Sequence, residues 1–208
     1  MIVIVEGPDG AGKTTLIHQI RARSDRYFWI MRPSRPPTSK PEILRTLRWI
    51  TSRPEKLDLL FDRHPAISEQ IYGPIFRGIN HLAEFEGAKA TRALLGGVSM
   101  IIYCRPSKDR IRLNTRITPQ MEGVPDLIDK IITAYDSLMT ELSLYKRVYH
   151  YDFDRDGDEL NNIIDRMWES QSDTGADTRA TQPSADPSQS VLVDRANESL
   201  EPESFDPS

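Results

Sequence analysis

Apolar residues along the chain fall into two alternating patterns. Short continuous runs occur at Ile2 to Val5, Tyr27 to Met31, Leu57 to Phe61, Val98 to Cys104 and Arg147 to Tyr151. Their β-branched and aromatic content suits strands buried on both faces. Between them lie stretches with helical spacing: 13–23, 41–52 with a proline in its first turn, 79–95 closed by Gly96-Gly97, 124–144 and 158–168. Parallel neighbours need crossover connections, and each gap between strands holds one predicted helix. The pattern therefore predicts an α/β fold, a five-stranded parallel sheet flanked by helices. No internal repeat is visible.

The pattern fades near residue 168, and composition explains why. From Glu169 onward nine acids face two bases among Ser, Thr, Gln and Pro, with apolar spots only at Val191 to Val193 and Phe205. Such a segment buries too little to offset its ordering entropy. It is expected to be a disordered acidic tail over 169–208, behind a single folded domain over 1–168. The whole chain of 208 residues carries a formal net charge of -4, whereas the first 168 residues hold 25 bases against 22 acids. One cysteine, Cys104, allows no internal disulfide and no cysteine zinc cluster. The apolar runs are far too short to span a bilayer, and the first residues lack the plan of a signal peptide. The expectation is a soluble cytoplasmic protein with no membrane partner.

The strongest chemical signal is Gly7-Pro8-Asp9-Gly10-Ala11-Gly12-Lys13-Thr14, followed by Thr15. It matches G-x-x-x-x-G-K-[ST] and stands between a buried strand and a helix, where the chemistry requires it. Glycines let backbone N–H groups turn around phosphate oxygens, and the helix start adds a partial positive charge. Lys13 is placed to reach the outer phosphates and Thr14 to ligand Mg²⁺. These residues imply a nucleoside triphosphate, with ATP and Mg²⁺ as the expected donor and metal.

The third strand delivers Asp62-Arg63 at its carboxyl end, where ligands collect in open parallel sheets. Asp62 is a candidate metal-holding group through water, and also the first candidate for the general base, ahead of Asp9 and Glu69. Arg63 is a candidate clamp for an acceptor phosphate. Lys108, Arg110, Arg112 and Arg116 follow the fourth strand and are candidates for a lid over the transferring phosphoryl group. The alternative for each of these arginines is an exposed helix position.

These residues resemble a known family. Val5-Glu6-Gly7-Pro8-Asp9-Gly10-Ala11-Gly12-Lys13-Thr14-Thr15-Leu16 is similar to the opening of the thymidylate kinases, and Asp62-Arg63-His64 resembles their Asp-Arg-Tyr or Asp-Arg-His element. The resemblance implies that Asp9 faces the acceptor's sugar, Arg63 its phosphate, and that the arginines over 110–116 belong to the lid. The family's Ser-x-x-Tyr-Gln stretch is replaced here by Ser68-Glu69-Gln70-Ile71-Tyr72-Gly73-Pro74. Asp-Arg-His-Pro-x-x-Ser-Glu-x-x-Tyr-Gly-Pro looks instead like the phage branch of that family, the 5-hydroxymethyluracil DNA kinases. That branch implies a virus acting in its host's cytoplasm, phosphorylation of a hydroxymethyl group in DNA, and acceptor contacts from Ser68, Glu69 and Tyr72. A helix-ending turn is the alternative reading of Tyr72 with Gly73-Pro74.

Independently of that likeness, residues 21–56 carry ten bases and three acids, with Tyr27, Phe28, Trp29 and Trp49 among them. Arginines beside aromatic faces suit single-stranded DNA or a flipped base; the alternative places Phe28 and Trp29 in the core. His18, His64, His81 and His150 lack metal-ligand spacing. The Asp152 to Asp158 cluster has isoleucine at position 163, where a calcium loop needs glutamate. Three functions stand: a kinase of hydroxymethyluracil in DNA, a deoxythymidylate kinase on free nucleotide, and a non-catalytic nucleotide-dependent DNA-binding protein.

Overall fold

A computed structural model describes residues 1–25, 27–32, 39–52, 57–83, 95, 98, 100–144, 146–157 and 159–172. Among them are five strands, β1 (Ile2–Glu6), β2 (Trp29–Met31), β3 (Leu59–Asp62), β4 (Met100–Cys104) and β5 (Val148–Tyr151). The helices are α1 (Lys13–Arg23), α2 (Lys40–Thr51), α3 (Pro65–Tyr72) running into a π-helical turn at Gly73–Arg77, α4 (Lys108–Ile117), α5 (Val124–Ser143) and α6 (Leu160–Ser172). All strand pairs are parallel, in the order β2-β3-β1-β4-β5. The α/β sheet expected from the apolar runs is the sheet observed.

Two cores explain why the strands read as unbroken apolar runs. On one face Val3, Val5, Leu60, Ile102 and Cys104 meet Leu16, Ile17 and Ile20 of α1 and Ile163 and Ile164 of α6. On the other, Ile4, Phe61, Ile101 and Tyr103 meet Ile43 and Leu47 of α2, Ile67 and Ile71 of α3, and Ile131, Tyr135 and Met139 of α5. Successive residues of β1 thus serve opposite faces, and a polar residue at any of them would be desolvated.

Several boundaries differ from the sequence expectation. Strand β2 starts at Trp29, with Phe28 buried while Tyr27 and Trp29 are 68% and 51% exposed. Strand β3 is shifted toward Asp62, which forms its last residue and pairs in register with Val5. Helix α6 runs on to Ser172 instead of stopping at 168, because neither proline nor glycine interrupts Glu169-Ser170-Gln171. Helices α3 and α4 do not stand out in the apolar pattern; they enter only as alternatives, the helix-ending turn at Tyr72 and the exposed helix position for the arginines over 110–116, and both alternatives are what the structure shows. The first is short and hidden between Pro65 and Pro74; His64 caps it by accepting the Ala66 N–H on Nδ1 at 3.3 Å. The second is strongly polar and is capped by the Ser107 hydroxyl, which accepts the Arg110 N–H at 3.2 Å. Most of the helix expected over 79–95, and residues 173–208 of the expected tail, lie outside the described residues. No described helix is long and apolar enough to cross a membrane.

Candidate active site

The carboxyl ends of β1 and β3 open into a cleft of about 970 Å³. Its floor is the loop between β1 and α1. Gly7 stands at φ +149°, and a Cβ there would lie 2.5 Å from the Cys104 carbonyl oxygen, so only glycine lets the loop pass β4 this closely. Gly12 stands at φ +80°, with Phe153 2.9 Å from where a Cβ would sit. The Pro8 carbonyl accepts the Ala11 N–H at 3.3 Å and the Lys13 ammonium at 2.6 Å. Asp9, Gly10, Gly12, Lys13, Thr14 and Thr15 line the cleft. The first-turn amides of α1 have no partner within the helix and are available to an anion. Lys13 is buried, and that burial, with Arg63 nearby, lowers its ammonium to about 8.

Asp62 stands beside this loop. The Thr14 hydroxyl donates to its Oδ2 at 3.5 Å, and the Arg32 Nε donates to the same oxygen at 2.7 Å. A hydroxyl and a carboxylate at this spacing are oxygen donors of the kind Mg²⁺ takes together with phosphate oxygens and water. The residues therefore fit the metal, Thr14 through its hydroxyl and Asp62 through a metal-bound water. Among the described residues no group of three or more His, Cys, Asp or Glu gathers as a separate metal site.

On the other side of the cleft Arg63 is held from three directions. Its Nη2 donates to Asp9 Oδ1 at 2.6 Å, and its Nη1 donates to the hydroxyls of Tyr72 at 2.5 Å and Tyr135 at 3.3 Å. The Tyr72 hydroxyl in turn donates to Asp9 Oδ2 at 2.6 Å. Burial raises the Asp9 carboxyl, but Arg63 and Lys13 outweigh it and hold the group below the usual carboxylate range. Asp9, expected to lie on the phosphate loop and face the acceptor, thus joins that loop to Arg63.

Helix α3 turns Pro65, Ser68, Glu69 and Tyr72 toward the cleft, the spacing of one helical stripe. The Glu69 carboxylate is already engaged, by the Arg77 guanidinium and by the His81 N–H at 3.0 Å. The π-helical turn brings Arg77 to the cleft wall. Ser68 Oγ and Arg77 Nε are buried polar atoms with no hydrogen-bond partner among the described residues.

The three candidate lid arginines are placed differently from one another. Arg110 pairs through two bonds with Asp154, at 3.1 and 2.8 Å, and lies over the Phe153 ring. Arg112 pairs with Asp129 and Asp109, and Arg116 is exposed; none of the three, nor Lys108, lines the cleft. Of helix α4, Asn114 reaches the phosphate loop, donating to the Gly10 carbonyl at 2.8 Å.

Sequence reasoning did not single out Arg32, Arg77, Tyr135, Asn114 or Phe153 for this cleft. Arg32 was visible only as one base among ten, and Tyr135 only as part of an apolar helical stripe. The signal for Arg77 was weaker still, since a π-helical turn has no period of its own in so short a segment.

A parallel sheet in this order, with a phosphate-binding loop after β1 and an Asp-Arg step after β3, is the fold of the P-loop nucleoside and nucleotide kinases. Solved structures bear this out. YorR from Bacillus subtilis, in complex with phosphorylated GDP, superposes with a TM-score of 0.65 at 18% identity, over 83% of this chain and 98% of that one. Deoxyadenosine kinase from M. mycoides with bound dCTP gives 0.55 at 14% identity, over 82% and 100%. The same enzyme with dATP gives 0.50 at 14% identity, over 80% and 98%. No protein-family model matches the chain, and no curated protein matches it.

Proposed function

We propose that the chain is an ATP-dependent kinase that transfers the γ-phosphoryl group to the hydroxymethyl oxygen of 5-hydroxymethyluracil in DNA, giving the 5-phosphomethyl base. The observation that carries the phosphotransfer reading is the approach of Thr14 and Asp62 beside the phosphate loop, facing the Asp9, Arg63 and Tyr72 cluster across one cleft. A bound Mg²⁺ would neutralise charge on the transferring group. Lys13 leaves the Pro8 carbonyl to meet the outer phosphates, and the α1 amides cradle them. Arg63 holds the acceptor, and Asp62 takes the proton of the attacking hydroxyl. The new O–P bond forms as the bond from the γ-phosphorus to the β–γ bridging oxygen breaks, and ADP leaves.

Two features support a polymeric acceptor: the likeness of Asp62 to Pro74 to the phage DNA kinases, and the course of β2. Tyr27, just before β2, and Trp29, its first residue, stay exposed, edge to face at 6.0 Å, at the amino end of an edge strand whose carboxyl end leads to Arg32 in the cleft. Aromatic faces outside a catalytic cleft are stacking platforms for unpaired bases. The second reading, a deoxythymidylate kinase, is favoured by Arg32 and Arg63 standing together in the cleft, where they suit a terminal phosphate.

Labelled ATP supplied with hydroxymethyluracil-containing DNA, unmodified DNA or deoxythymidylate separates these functions. Label in the modified DNA alone is expected. Label in the free nucleotide alone overturns the DNA acceptor, and label in none of them makes the protein a non-catalytic binder.

A further inference from the structure

Glu6 has no task in that reaction, yet it is a carboxylate fully buried at the end of β1. Burial raises its carboxyl above the usual range against the pull of Arg63, so its retention inside the sheet needs a compensating set of bonds. Both oxygens have one. Oε1 accepts the His64 N–H at 2.6 Å, and Oε2 accepts the Tyr135 hydroxyl at 3.0 Å.

Each bond leads to Arg63. The His64 amide belongs to the peptide that follows Arg63, and Arg63 stands at φ +71°, the sole non-glycine residue in the left-handed region among the described residues. Any residue with a Cβ is strained in that conformation, so it persists only where neighbours over-determine it. The Tyr135 hydroxyl has a single proton. Given to Glu6, it leaves only lone pairs toward Arg63, whose Nη1 donates to that oxygen at 3.3 Å. The backbone and the guanidinium of one residue are thus both governed by one buried carboxylate.

We infer that Glu6 is the positioning residue of Arg63: it holds the peptide after Arg63 in place and orients the Tyr135 hydroxyl, so that the guanidinium meets Asp9 and Tyr72 on the acceptor side of the cleft. The inference rests on the reading that Arg63 holds the acceptor. It assigns Glu6 an effect on the acceptor and not on ATP, although the charge of Lys13, at the other end of the phosphate loop, also acts on Glu6.

The test is a double-mutant cycle of Glu6→Gln with Arg63→Ala, measured as kcat/KM for the acceptor and KM for ATP. Glu6→Gln alone is expected to lower acceptor kcat/KM about tenfold or more while leaving the ATP KM within about twofold. In the Arg63→Ala background it should change nothing further. Additive losses, or an equal effect on ATP, overturn the inference and leave Glu6 a purely structural residue. If Glu6→Gln does not fold, Glu6→Asp, which keeps the charge but shortens its reach to the His64 N–H and the Tyr135 hydroxyl, carries the same cycle with the same two outcomes. Should no acceptor be phosphorylated, the proposed reaction fails on its own. A solved structure of the folded variant then decides the inference: Arg63 displaced from Asp9 supports it, and Arg63 unmoved overturns it.

Discussion

Arg32 Nε lies 2.7 Å from Asp62 Oδ2, the oxygen that the Thr14 hydroxyl also approaches. Asp62 is 7% exposed, and Arg32 forms an ion pair with it. An arginine in this place both neutralises the carboxylate and competes with a metal for it. Removing it by Arg32→Ala is expected to strengthen the apparent affinity for Mg²⁺ severalfold and to raise the acceptor KM about tenfold, since the same guanidinium lines the cleft in which the proposed acceptor would sit. Initial rates against Mg²⁺ and against acceptor, taken separately, check both.

Asp62→Asn keeps the size and the hydrogen-bonding oxygen but removes the proton acceptor. Transfer should fall by about a hundredfold or more, with ATP binding by calorimetry within a few-fold of the original. A fully active Asp62→Asn enzyme would remove Asp62 from the role of base.

Lys13 gives the site a pH dependence on its alkaline side. Its ammonium is lowered to about 8 by burial and by Arg63, and a triphosphate beside it would raise it again. ATP binds the protonated form better, so the affinity should hold below pH 8. Above that it should decline, approaching tenfold per pH unit. Lys13→Arg, charged throughout this range, should bind ATP with no such decline. Binding titrations from pH 7 to 10 provide the comparison.

His64 gives the fold a pH dependence on the acid side. Burial pushes its imidazole down to about 4, from an ordinary 6.5, and its Nδ1 caps α3 only while unprotonated. The unfolded chain therefore binds the proton more readily between these values. The stability from this group is fully present above pH 6.5 and is lost as the pH falls through about 4, to a total of about 3 kcal/mol. His64→Asn, which retains a cap and does not titrate, should flatten the acid limb of a thermal-melting profile.

Gly12 tests the phosphate loop from a third direction. Alanine there meets both a left-handed backbone and the ring of Phe153. Gly12→Ala should weaken ATP binding at least about tenfold, combining a backbone cost of about 1 kcal/mol or more with the clash. Adding Phe153→Ala relieves the ring contact alone, so it should restore only part of the loss.

The phosphate loop and the sheet were legible because their chemistry is local. Gly7 to Thr14 are consecutive, and a strand buried on both faces announces itself in consecutive residues such as Ile2 to Val5. Helix α3 was legible only through its ending turn because its eight residues carry Ser68, Glu69 and Gln70 between two prolines, too short a span for a helical period to stand out. The pairing of Arg32 with Asp62 crosses 30 positions, and that of Asn114 with the Gly10 carbonyl crosses 104, so neither leaves a trace in spacing.

The amino-acid sequence by itself determined the layered α/β architecture, the phosphate-binding loop and the Asp62-Arg63 step, because periodicity and short motifs act between neighbours in the chain. Tertiary structure alone decided which cation meets each carboxylate: Arg32 for Asp62, Arg63 for Asp9, Arg77 for Glu69, Arg110 for Asp154. Charges with many possible partners in the sequence are assigned one in the fold, since the crossing of strands and helices sets the distance over which each arginine can reach.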